Sequence, residues 1–86
     1  MQKPFIHSNG TSARCLAEGY SAARVAVENA IEELSKVEFN ARDYYIGPEG
    51  AWKQAQAEHV ARFDRLRAVA AELSDLEAYC CEFIRQ

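Results

Sequence analysis

Three short stretches hold most of the side chains that could bind a ligand. The segment Arg42-Asp43-Tyr44-Tyr45-Ile46-Gly47-Pro48 combines a cation, a carboxylate and two aromatic rings, and Trp52 follows within about a turn. Aromatic faces accept a nucleobase or sugar, an Arg accepts phosphate, and a carboxylate such as Asp43 can take ribose hydroxyls. The same residues also suit a loop packed by its own aromatics at the end of a bundle, with Asp43 in a turn bond. His59 and Arg62 are the second group. They interrupt an otherwise apolar helical stripe, and a buried charge needs a partner. One reading lines a pocket with them, the Arg fork gripping phosphate or carboxylate and the imidazole donating beside it. The other rotates the helix slightly, so that Phe63 replaces Arg62 inward and the polar pair sits at the rim. The third group is His7-Ser8-Asn9-Gly10-Thr11-Ser12, dense in short hydrogen-bonding groups such as Asn9 and Thr11 ahead of a helix start, where anions bind readily; it reads equally as an ordinary capped helix start.

Catalysis has little support in this set. Cys15 and Ser12 have no evident base nearby, Glu58 points to a different side of its helix from His59, and neither a phosphate-binding Gly motif nor a paired-carboxylate signature occurs. The expectation is a binding protein and not an enzyme. Neither His7 nor His59 stands at ligand spacing from a Cys or a second His, so no metal and no cofactor are expected.

These groups must be positioned by helices. Residues 1–11 read as an arm, since Pro4 and Asn9-Gly10 disfavour a helix, and Thr11 or Ser12 offers an N-cap hydroxyl. The stripe Leu16, Tyr20, Ala23, Val27, Ala30, Leu34, Val37 has unbroken 4-3 spacing and predicts a helix over 12–39. Residues 40–47 form the loop. Gly47 and Pro48 open a second helix over 48–84, whose stripe runs Trp52, Ala55, His59, Arg62, Leu66, Val69, Leu73, Leu76, Cys80, Phe83. The fold class is therefore all-α: an antiparallel two-helix hairpin in a single domain, residues 1–86. An eight-residue loop pairs positions whose numbers sum to about 89, setting His59 against Ala30 and Leu73 against Leu16. Residues past about 78 then overhang the first helix, to be covered by Phe5 and Ile6 or by another chain.

Composition points to self-association. Of 42 residues in the apolar set, 15 are Ala and 20 are Ile, Leu, Val, Met, Phe or Trp, a thin core for a lone chain. A second stripe through Val60, Phe63, Ala70 and Ile84, with Ala22, Val25 and Ile31, flanks the first, and two helices cannot bury both. A homo-oligomeric bundle, at least a dimer, is the economical solution. The 26 residues from Ser12 to Val37 span about 39 Å at ~1.5 Å per residue, so arm and loop cannot meet within one hairpin, and a composite site becomes possible between subunits of an antiparallel dimer.

Charge narrows the partners. The net charge is −3, with both halves mildly acidic, and the cluster Arg62, Arg65, Arg67 is broken by Asp64, which argues against a duplex nucleic acid partner. No apolar run approaches the ~20 residues of a membrane span. Three cysteines, two of them adjacent, fit reduced thiols, and the start lacks the features of a secretory signal, so the expected location is the cytoplasm.

The segments Ile6-His7-Ser8-Asn9-Gly10-Thr11-Ser12, Gly19-Tyr20, Asn40 with Arg42-Asp43-Tyr44-Tyr45 and Gly47-Pro48, and Glu58-His59 with Arg62 resemble a group of small helical proteins encoded by phages and prophages. The resemblance covers most of the chain through sparse motifs. It implies an accessory factor acting against host defence in the host cytoplasm, and by analogy a protein that sequesters a cyclic or ADP-ribose-type nucleotide signal in an oligomeric pocket. The expected ligand is thus a small phosphorylated molecule of nucleotide type, held by Arg42, Asp43, Tyr44, Tyr45, Trp52, His59, Arg62, His7, Asn9 and Thr11. The alternative is a helical interaction module that inhibits a host protein directly through an exposed apolar stripe, with no small ligand.

Overall fold

The computed structural model of the chain describes residues 1–84. It is all-helical: α1 spans Ala13–Ser35, a short 3₁₀ turn spans Ala41–Asp43, and α2 spans Ala51–Ile84. Ser12 caps α1 as its side chain requires, its Oγ accepting from the Cys15 N–H at 3.1 Å. No helix among the described residues is long and apolar enough to cross a membrane.

Both inner helix boundaries differ from the sequence expectation. α1 stops at Ser35 and not at 39, and α2 begins at Ala51 and not at 48. Gly50 adopts φ 87°, a left-handed conformation that ordinary side chains resist, so the chain completes a turn through Gly47–Gly50 before α2 starts. The connection is therefore 36–50. Its first part continues beyond the end of α1, the chain reverses through the 3₁₀ turn, and α2 starts well past that end.

The longer connection shifts the register. Arg24 meets Glu77 across the hairpin, and Phe39 stacks on His59, so opposed positions sum to roughly 100 and not 89. His59 does not face Ala30, and Leu73 does not face Leu16. The overhang lies at the loop end, where the first turns of α2 extend past α1 and are covered by Phe39 and Tyr44. The far end of α2 is not left over: Cys80 is fully buried, and Lys3 of the arm lies 5.2 Å from the Tyr79 ring centroid. Phe5, expected to cover that end, is 81% exposed, while Ile6 is half-buried.

The helical phase differs as well. The inward positions of α1 are Ala13, Ala17, Tyr20, Arg24, Val27, Ile31 and Leu34, whereas Ala23, Ala30 and Val37 are exposed. On α2, Phe63 and Ala70 turn inward and Arg62 is exposed, as in the rotated reading of that helix. Only Ala13, Ala17 and Cys80 are buried among the described residues. The molecule measures 60 × 22 × 17 Å, with a radius of gyration of 18.7 Å, where a compact chain of this length has about 12 Å.

Candidate functional site

The loop end of the hairpin is an aromatic cluster. Phe39 sits at its centre, stacked on the His59 ring with centroids 4.0 Å apart and planes 13° apart, tilted against Trp52 at 4.9 Å and edge-on to Tyr44 at 5.8 Å. Tyr44 reaches Trp52 at 5.6 Å, and Phe63 closes the inner side edge-on to His59 at 5.1 Å. Offset and edge-on ring packing of this kind contributes beyond simple area burial. It also occupies the rings: Tyr44, Trp52 and His59 hold the connection onto α2, and their faces are largely taken by one another. Sequence reasoning missed Phe39 as the centre, having assigned it to the end of the first helix.

Around this cluster stand the polar and exposed groups. Arg42 is exposed and lies 3.8 Å from the Glu38 carboxylate, Asp43 is exposed, and Tyr45 and Ile46 project with 74% and 83% of their surface free. Arg62, one turn beyond His59, is exposed, and no ion pair involves it among the described residues. Of the two readings of this pair, the structure has the rotated one for Arg62: Phe63 takes the inward position and Arg62 is exposed at the rim, not buried in a pocket.

The arm residues lie elsewhere. His7, Asn9 and Thr11 are exposed before α1, at the opposite end of the 60 Å molecule from the loop. A turn closes there through the Gly10 N–H donating to the His7 carbonyl at 3.2 Å, and the His7 ring folds over Gly10, whose missing Cβ leaves it room. One chain thus brings Arg42, Asp43, Tyr44, Tyr45, Trp52, His59 and Arg62 to one end and leaves His7, Asn9 and Thr11 at the other.

The polar feature of the helix interface is one the sequence reading did not single out. Arg24 Nε donates to Glu77 at 3.1 Å and its Nη1 to Glu28 at 2.8 Å, with the Arg24 and Glu77 side chains each about a quarter exposed. The Glu77 hydrogen bond, followed by the Glu28 charge, holds the Arg24 guanidinium above its ordinary pKa, so it stays charged. The spacing Tyr20–Arg24–Val27 was the available signal. An open groove of about 420 Å³ beside this pair is lined by Arg14, Ser21, Glu77 and Cys81, and a second of about 370 Å³ runs along Ser74, Glu77 and Cys81. Neither groove includes any of the ten residues expected to bind ligand.

The thiols differ in environment. Cys15 is exposed, Cys80 is buried and Cys81 is half-buried, all three unpaired. Burial, with a smaller contribution from Cys81, pushes the Cys80 thiol up. No group of three or more His, Cys, Asp or Glu among the described residues is placed to hold a metal ion. No family model matches the chain, and no curated relative or solved structure similar to it was found.

Proposed function

We propose that this chain is a non-catalytic, homo-oligomeric helical protein that binds a small phosphorylated ligand of nucleotide type at its loop end. The observation that supports the reading is the exposure of Arg42, Tyr45 and Arg62 around an aromatic cluster that fixes the connection in place. A ring that is 74% exposed is available to stack on a base, and two exposed guanidiniums can take phosphate bidentately. Trp52, His59 and Tyr44 serve as the floor beneath them, and Asp43 stands ready for hydroxyl groups. His7, Asn9 and Thr11 join such a site only if a second chain runs head to tail with the first. The resemblance to small phage proteins gives this reading its setting, in which sequestering a nucleotide signal in the cytoplasm blunts a host defence.

Thermal shift measures it directly. A ligand at 100 times its dissociation constant stabilises by about 2.7 kcal/mol, which for a domain of this size is a rise of about 10 °C or more. Cyclic dinucleotides, cyclic trinucleotides, cyclic ADP-ribose isomers, ADP-ribose conjugates and NAD form the panel. Arg42→Ala, Tyr45→Ala and Arg62→Ala remove most of the shift and leave the unliganded Tm nearly unchanged, because all three side chains are exposed. No shift with any phosphorylated ligand overturns the reading.

A second reading has its own supporting observation: Val69, Ala23 and Ala30 are exposed along one side of the hairpin. In that reading the chain inhibits a host protein by direct contact, and a stoichiometric, purified protein partner with no ligand shift favours it.

A further inference from the structure

The apolar stripe of α1 is only partly spent on α2: Val27 and Leu34 turn inward, whereas Ala23 and Ala30 stay exposed. Arg24 and Glu77 meet across the hairpin at one edge of the contact, since fully buried Cys80 lies about 60° round from Glu77, and the pair gives each helix a reference line. At about 100° per residue, Leu16, Ala23, Val27, Ala30 and Leu34 lie about 60–120° to one side of that line on α1. On α2, Val69, Leu76 and Phe83 lie about 80–120° from it in the same rotational sense. Antiparallel helices turn in opposite senses when viewed from one end, so an equal rotation on both is the same side of the hairpin. The two stripes therefore form one face, running from Leu16 beside Phe83, through Ala23 beside Leu76, to Ala30 beside Val69. Ala23 and Ala30 are exposed, Val69 is 43% exposed, and the remaining five of these eight are half-buried. The α1 half of this face carries no charge between Leu16 and Leu34, and the α2 half between Leu66 and Phe83 carries only Glu72 at its margin. The opposite side holds Arg14, Glu18, Glu28, Glu32 and Arg67, with Val25 and Val60 as isolated apolar residues.

We infer that a second copy of this chain covers this face, giving a four-helix bundle. The inference deepens the homo-oligomer of the proposed function by naming the surface that makes it. Two quantities select a copy of the chain as the occupant. The accessible surface is 6438 Å², where a compact chain of 9.7 kDa exposes about 5,100 Å². The excess, about 1,300 Å², exceeds the ~800 Å² per partner that a stable protein interface buries. The second quantity is side-chain size. The exposed positions of the α1 column are small, Ala23 and Ala30, set among the half-buried Leu16, Val27 and Leu34, and the α2 column is large, Val69, Leu76 and Phe83. A two-fold axis along the helices seats each chain's large column on its partner's exposed alanines, with every neighbouring helix pair antiparallel; both loops then lie at one end, and His7, Asn9 and Thr11 of either chain stay outside the loop-end site. The face is complementary to itself.

The test uses exposed positions, so that the hairpin itself is spared. Ala30→Glu puts a charge on the face at a small cost in helix propensity, and Val25→Glu puts one on the opposite side at none. Sedimentation or light scattering of the full chain is expected to give at least twice 9.7 kDa for the wild type and for Val25→Glu. For Ala30→Glu and Ala23→Glu, dissociation is expected to weaken the assembly by at least about 100-fold in Kd, with helical circular dichroism retained. A wild-type monomer at micromolar concentration overturns the inference, as does an oligomer that Val25→Glu breaks and Ala30→Glu does not. A dimer broken by Ala30→Glu in a protein that no nucleotide stabilises supports this interface and removes the ligand; a monomer with a ligand shift does the reverse.

Discussion

Phe39→Ala is the sharpest probe of how the connection fixes the register. The Phe39 ring touches Trp52, His59 and Tyr44 with centroids 4.9, 4.0 and 5.8 Å away, and so joins the extended part of the connection to the first three turns of α2. Truncating a fully buried Phe costs about 3–5 kcal/mol. Phe39 is half-buried, which brings the figure to about 2 kcal/mol, and the ring-pair attractions are already contained in it. For a domain of this size that is a fall in Tm of about 8–16 °C. Urea unfolding followed by the fluorescence of Trp52, the chain's single tryptophan, reads the change at the site itself. Protomer concentration is held fixed, because assembly adds stability by mass action. Tyr45→Ala, six residues along but 74% exposed, is the control and stays within about 0.5 kcal/mol. A Phe39→Ala cost as small as the control's means that the connection is not anchored on α2, and the register argued from it is then wrong.

Two further outcomes test the interior. Cys80 is fully buried and its thiol is pushed up, so at neutral pH less of it is thiolate; alkylation read by mass spectrometry should modify Cys15 first and Cys80 last, and equal rates would contradict the packing at that end. For the interface ion pair, Arg24→Met and Glu77→Leu should each lower the Tm, whereas the double variant lowers it by less than the two together; strictly additive shifts would show that the pair is not coupled.

The sequence carried the helices plainly and their contact poorly. The Ser12 cap, the 4-3 spacing from Leu16 and the absence of strand-like alternation are local signals, and the helices follow them. The register depends on the connection, where the local signals were read too literally. Pro48 fits a first helical turn, but Gly50 at φ 87° lets the turn extend further and delays α2 to Ala51. On paper Phe39, followed by Asn40, closes the first helix. It leaves the helix because three rings of α2 and the turn offer it more contact than solvent at the end of α1.

The phase was ambiguous for a different reason, which bears on the candidate site. α1 carries two overlapping 4-3 series that share Tyr20, Val27 and Leu34; one includes Ala23 and Ala30, the other Arg24 and Ile31. Hydropathy favours the first, since an Arg in a seam looks costly. Glu77 on α2 and Glu28 on the next turn remove that cost, and with it the objection to the second series. On α2 spacing and hydropathy disagreed: the 4-3 series runs through Arg62, whereas Phe63 beside it needs no partner to turn inward, and it is Phe63 that does so. A charge in a helical stripe therefore has to be judged against what the neighbouring helix brings opposite it. Arg24 finds a carboxylate and stays in; Arg62 has an apolar neighbour able to replace it and turns out. What this leaves is a cation at the rim of the loop end and an apolar alanine stripe that the hairpin does not cover, which are the two features on which the ligand and the second copy are proposed to act.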